Sequence, residues 1–212
     1  MKKSEITAAI KKGFCTNHTG KMSGMISYST CAAVNPICAA RAKDPESVCA
    51  HCFALAMMNR YSALQDKTTR NYEIMAADVY SVSVMPKVNA ALFRLESFGD
   101  LGNTNQAANY FNLAKANPRT TFALWTKNPH IIEEMMMEHP EISKPKNLII
   151  IYSSPKLNQE SAPDYWFIDK VFTVYDKQHA ESVSINCGAR SCLECGRCYS
   201  KRTGRNVNEL LK

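Results

Sequence analysis

The sequence predicts an α/β protein, a partial (β/α) barrel of about five or six mostly parallel strands, and three observations carry that expectation. Short apolar runs alternate with helical stretches through residues 53–186. The runs are apolar on both faces, as strands covered on either side by other layers must be, which favours parallel pairing through right-handed crossovers. Each run ends in small or polar residues, and ligands collect at the carboxyl ends of such strands. A chain of 212 residues can bury roughly 70 % of its unfolded surface and needs no disulfides to fold. The expected organisation is one α/β domain, 1–212: a cysteine-rich segment 15–52, a strand-helix body 53–186, and a cysteine loop with a basic tail 187–212.

Taken in order, Phe53 to Gln65 reads as a helix with a core-facing stripe of Phe53, Met57, Tyr61 and Leu64. Thr68 or Thr69 can cap a second helix carrying Tyr72, Met75 and Val79, before Pro86 breaks the pattern. Ala90 to Leu95 reads as a strand ending in Glu96-Ser97-Phe98-Gly99-Asp100, and Thr104 can cap a helix running to Ala116. Thr121 to Thr126 is the next strand, with Asn128 as cap and Pro129 at the first helical position. Ile131, Ile132, Met135 and Met136 would be that helix's buried side. Asn147 to Tyr152 and Val171 to Tyr175 are further strands, and Val183-Ser184-Ile185 leads into the cysteine loop. The strand ends carry the informative polar residues: Glu96, Gly99, Asp100, Thr126, Lys127, Ser153, Ser154, Asp176 and Lys177. Of these, Glu96, Gly99, Asp100 and Lys127 are expected to border a binding pocket. Gly99 permits close backbone approach, and Asp100 can accept hydrogen bonds from an amine or hydroxyl unless it caps its own turn.

Cysteines frame this body. Cys187, Cys192, Cys195 and Cys198 fall within twelve residues, so one short loop can fold its sulfurs around a single inorganic centre. Structural zinc sites usually draw two cysteine pairs from separate knuckles, so the dense run favours an iron–sulfur cluster over zinc. The second group is Cys15, Cys31, Cys38, Cys49 and Cys52. Cys31, Cys38, Cys49 and Cys52 are the expected ligands of a second cluster, with Cys15 spare and His51 lying beside the metal shell. Nine cysteines in a chain of this length fall below the density of a disulfide scaffold, and their number is odd, which implies a reducing, cytoplasmic setting. The apolar run Ile6 to Ile10 is too short for a signal sequence, and Leu148 to Tyr152 is far short of a membrane span.

The net charge of +7 sits at the two ends: residues 1–15 carry +3, residues 187–212 carry +4, and the stretch between sums to zero. A nucleic-acid patch is one reading of the basic ends. The favoured one is that Arg190, Arg197, Lys201 and Arg202 offset an anionic thiolate-ligated cluster. No nucleophile-elbow pattern, Gly-rich phosphate loop or internal repeat is visible.

Four segments together resemble the phage gene-product-eighty-eight family over roughly residues 20–200: Cys49-Ala50-His51-Cys52-Phe53-Ala54, Phe93-Arg94 leading to Gly99-Asp100, Phe122 to Lys127, and Arg197-Cys198-Tyr199. The resemblance implies a phage origin, a host-cytoplasm location and iron–sulfur chemistry, with a distant likeness to the radical S-adenosylmethionine barrels. In those barrels a strand end following the cluster loop binds the methionine amino group, and Gly99-Asp100 occupies a comparable place. The chain departs from them in having no Cys-x3-Cys-x2-Cys, and four thiolates on one cluster leave no open iron. Three functions are therefore expected to compete. The first is a carrier of two 4Fe-4S clusters serving an unidentified redox partner. The second is an enzyme using one cluster as electron donor to a small substrate or to S-adenosylmethionine. The third is a zinc-stabilised nucleic-acid binder.

Overall fold

The computed structural model describes residues 2–160 and 162–211. Its centre is a six-stranded sheet with every neighbouring pair parallel and the strands in chain order: β1 Ile26–Tyr28, β2 Leu92–Leu95, β3 Thr121–Thr126, β4 Leu148–Ser153, β5 Lys170–Tyr175 and β6 Asn206–Leu210. The first and last strands do not pair, so the barrel stays open. Two of the strands escaped the sequence reading. β1 is three residues long, too short to show a period, and β6 alternates polar with apolar in the basic tail. The expected lead-in Val183-Ser184-Ile185 is irregular chain, anchored a little later where the Asn186 and Cys187 amides both donate to the Asn208 carbonyl.

Strand alternation divides the sheet into two chemically different faces. Tyr28, Phe93, Leu95, Phe122, Leu124, Leu148 and Ile150 join the main core. They pack against α4 Ser62–Ala77, α5 Thr104–Ala116 and α6 Pro129–Glu138, and α1 Lys3–Lys12 adds the fully buried Ile10. α5 is buried on nearly every side because it lies between the sheet, α4 and α6, and its polar side chains are satisfied there: Asn109 donates to the Met75 and Asp78 carbonyls and accepts from the Tyr80 amide. The opposite face carries a smaller apolar cluster of Met25, Ala123, Ile149, Ile151 and Tyr199, with Leu92, Trp125, Phe172, Cys192 and Cys198 packed on it. The chain between β5 and β6 covers this inner face, which is how the terminal cysteines reach it.

Several local expectations shift. α3 Phe53–Arg60 ends at Tyr61, and α4 begins at Ser62, so Thr68 lies inside a helix and donates its hydroxyl back to the Leu64 and Gln65 carbonyls. The Phe53–Met57–Tyr61–Leu64 stripe is not core: Phe53 is 64 % exposed and Tyr61 46 %, while Ala54 and Met58 form the buried side. Asn103 rather than Thr104 caps α5, accepting from the Gln106 amide. Asn128 and Pro129 open α6 as expected; Pro129, Ile131, Ile132 and Met135 are its buried residues, and Met136, expected beside them, is half-buried against the core.

Candidate metal centres

Both cysteine groups open onto one cavity of about 790 Å³ on the inner face of the sheet. Cys38, Cys49 and Cys52 line it from the N-terminal side, and Cys187, Cys192, Cys195 and Cys198 from the C-terminal side. Cys15 also reaches the wall, next to the bridge it forms with Ser27. Cys31 lies behind the wall, fully buried, with its Sγ 3.5 Å from Met58 Sδ, in the packed cluster that Cys38 and Cys52 join.

Local sequence explains how the N-terminal group is held. Asn35 caps α2 Pro36–Arg41 by accepting from the Ile37 and Cys38 amides, and its own amide group donates to the Asp100 carbonyl. Ser47 caps the short turn carrying Cys49, accepting from the Cys49 amide, while the Val48 amide donates to the Pro155 carbonyl beyond β4. Arg41 reaches across to the Lys127 carbonyl. These ties pin both cysteine turns to the carboxyl ends of β3 and β4.

The C-terminal group is anchored differently. Ser191 caps α8 Cys192–Cys195, and Gly196, in the left-handed region at φ +58°, ends it so that Cys198 turns back toward the sheet. Lys170 is buried under the following turn and donates to the Thr203 and Gly204 carbonyls. Tyr199 lies edge-on against Trp125, and the Arg94 guanidinium sits over that same indole, 4.0 Å from the ring centroid. Burial pushes the Cys198 thiol up to about 12, with Cys187 adding to the shift and Arg94 opposing it. Burial likewise raises Cys187 and Cys192, and pushes Cys38 well up with Asp100 and Glu96 adding to it.

The four strand-rim residues all line the cavity. Glu96 sits in the left-handed region at φ +57° and is 2 % exposed. It accepts from the Thr30 amide and hydroxyl, the Gln106 side chain and the Tyr110 hydroxyl, yet burial still raises its carboxyl to about 7. Asp100 accepts from the Leu101 amide, the Thr126 hydroxyl and the Lys127 amide, and Arg41 stands 3.9 Å away, so its oxygens serve the turn they belong to. Gly99 packs on Thr30: a Cβ there would lie 2.5 Å from the Thr30 carbonyl. Of the other strand-end residues, Thr126 and Ser153 line the cavity, whereas Asp176 caps α7 Lys177–Ala180.

Most of the basic side chains fall elsewhere than the charge pattern suggested. Of the four expected there, only Arg197 lines the cavity with the terminal thiols; Lys201 pairs with Asp169 at 3.1 Å, and Arg190 and Arg202 are exposed. Further cations beside the terminal thiols are Lys21, 3.0 Å from the Cys187 carbonyl, and Arg94. Sequence reasoning missed both, along with His18, which shares a 2.7 Å hydrogen bond with Ser27. Arg94 had one legible signal, a lone cation in the middle of an apolar strand.

The donor set suits thiophilic metal chemistry. The four terminal thiols act on one another, and the buried Arg94 Nε and Tyr199 hydroxyl beside them have no protein partner. Among the described residues no three His, Cys, Asp or Glu side chains stand at the spacing of a single bound ion. No described helix is long and apolar enough to cross a membrane. The fold and cleft define an open, all-parallel α/β protein with two facing cysteine groups. The family described as Gene product 88 matches residues 2–208, and the chain belongs to that family. No curated protein and no solved structure matches it.

Proposed function

We propose that this chain is a phage-type iron–sulfur protein binding two 4Fe-4S clusters, with a redox or electron-transfer role. Cys31, Cys38, Cys49 and Cys52 would hold one cluster, and Cys187, Cys192, Cys195 and Cys198 the other. The observation that carries this reading is the convergence of seven of these thiols on one cavity from opposite ends of the chain. Clusters held there would supply one-electron chemistry. The protein's part is to fix the thiolates, to line the wall with Trp125, Phe172 and Tyr199, and to place cations near the terminal group. Anaerobic purification should give a brown protein with about eight irons and matching acid-labile sulfide, as two four-iron clusters require. Stoichiometric zinc without sulfide would overturn it in favour of a zinc-stabilised protein.

The size of the cavity supports a second reading, an enzyme in which one cluster donates an electron to a bound substrate. About 790 Å³ is within the usual range for a small-molecule site, and Glu96, Arg41 and Lys127 give it a polar rim. For S-adenosylmethionine as that substrate, the amino group would compete with three internal donors for Asp100. Titration with S-adenosylmethionine, followed by electron paramagnetic resonance of the reduced protein, tests this. A change in one cluster signal that is lost in Asp100→Ala supports it, and an unchanged spectrum at millimolar ligand removes it.

A further inference from the structure

Arg94 stands within β2 on the cavity side of the sheet. Its ladder partners are Ser27 on β1 and Ala123 on β3, both small and fully buried, so its long side chain can lie along the sheet instead of standing off it. It lies towards Trp125, two residues beyond Ala123 on the same face, with the guanidinium carbon 4.0 Å from the indole centroid. Among the described residues Nη1 donates to Met22 Sδ at 3.6 Å, a weak acceptor, and the buried Nε has no partner. The carboxylates of the cavity are engaged elsewhere: Asp100 with Thr126, the Lys127 amide and Arg41, Glu96 with Thr30, Gln106 and Tyr110, and Glu209 with Lys21. Arg94, Lys127 and Arg197 therefore line the cavity with no carboxylate within 4.0 Å among the described residues.

A half-buried cation without a counter-charge is costly, and a bound anion removes that cost. A planar guanidinium held against an indole also presents its N–H groups in a fixed direction, which suits the oxygens of a carboxylate or phosphate. Polar neighbours stand beside it. His18 Nε2 is 2.7 Å from the hydroxyl of Ser27, the ladder partner of Arg94, and its Nδ1 is unbonded among the described residues. Ser97, 3.3 Å from the same hydroxyl, lines the cavity with His18. Aromatic rings from Trp125, Phe172 and Phe98 line it too, and Phe98 is stacked on Phe53 at 6.0 Å. We propose that this cavity binds a small organic anion, its carboxylate or phosphate head on Arg94 beside His18 and Ser97, and its apolar body along the aromatic wall. The proposal goes beyond the cluster reading and needs neither metal nor electron transfer.

Isothermal titration calorimetry of the full chain tests it with three probes of similar size: phenyl phosphate, benzoate and the neutral benzyl alcohol. At least one anion should bind about tenfold more tightly than benzyl alcohol, and the tighter of the two identifies the head group. Arg94→Gln should weaken that anion by about tenfold and leave benzyl alcohol unchanged, with Arg94→Lys recovering part of the loss. Arg202→Gln, exposed and outside the cavity, should change nothing. Should Arg94→Gln fail to fold, Lys127→Gln and Arg197→Gln are each expected to weaken the anion by about two- to threefold. The proposal is overturned if neither anion binds better than benzyl alcohol, or if Arg202→Gln weakens the anion as much as Arg94→Gln does. Iron and sulfide measured on the same samples decide the cluster reading separately.

Discussion

The two cysteine groups reach one cavity by opposite routes. The N-terminal group stands on short capped turns that hydrogen-bond to the loops after β3 and β4. The C-terminal group hangs between two adjacent strands, tied down by the buried Lys170 and by pairing of Asn186 and Cys187 with Asn208. The difference teaches that the cleft is assembled from the sheet outward on one side and stretched across it on the other. A metal centre on the second side would add binding energy to the folding of an otherwise polar loop.

Cysteine variants break this comparison most forcefully. Cys192→Ala and Cys195→Ala are each expected to remove about half the iron and leave the other centre, because a short loop that loses one thiolate has little else to hold a cluster. Cys15→Ala should leave iron content unchanged. Equal losses in Cys15→Ala and Cys52→Ala would show that the N-terminal partition is wrong and that Cys31 belongs to the core alone.

A pH series sharpens the contrast at the N-terminal rim. Burial raises Glu96 to about 7 in the folded protein, so the folded state holds this proton where the unfolded state has lost it. The stabilisation from the bound proton is present in full below about pH 4.5 and is lost as pH rises through 7, a change on the order of 3 kcal/mol. Chemical denaturation of wild type and Glu96→Gln across pH 4 to 8 measures it, and the variant's profile should be flatter in that window. Parallel profiles would assign the pH dependence to another group.

Gly99→Ala is expected to cost about 1–3 kcal/mol, because the new methyl would meet the Thr30 carbonyl and hydroxyl and the Glu96 carboxyl within 3 Å. The shift in denaturation midpoint reads it. At the other end of the scale, Lys201→Ala should cost at most about 1 kcal/mol, since its half-exposed pair with Asp169 leaves Asp169 still bound to Lys144.

Much of the body was legible in the sequence because its signals are local. The runs ending at Leu95, Thr126, Tyr152 and Tyr175 became β2 to β5, and Asn128-Pro129 opened a helix as its chemistry demands. β1 and β6 were not legible, being short or half-polar edge strands whose identity comes from the neighbour they pair with. The same reason hid half of the cleft. Glu96, Gly99, Asp100 and Lys127 announce themselves by following an apolar strand, whereas Lys21 and Arg94 matter only because the β5–β6 connection brings Cys187, Cys192 and Cys198 to them across more than ninety residues of chain. The Phe53 stripe misled for a related reason: a helix beside a wide cavity presents apolar residues to that space, and Phe53, Met57 and Leu64 line it.

The central claim is that two four-iron centres face each other across one cavity. The most direct measurement is a crystal structure of anaerobically prepared protein with anomalous scattering recorded at the iron edge. The account predicts two compact iron groups, one against Cys38, Cys49 and Cys52 and the other against Cys187, Cys192, Cys195 and Cys198, with Arg94 beside the second. A single zinc peak on the terminal loop, or iron on one side of the cavity alone, would contradict it.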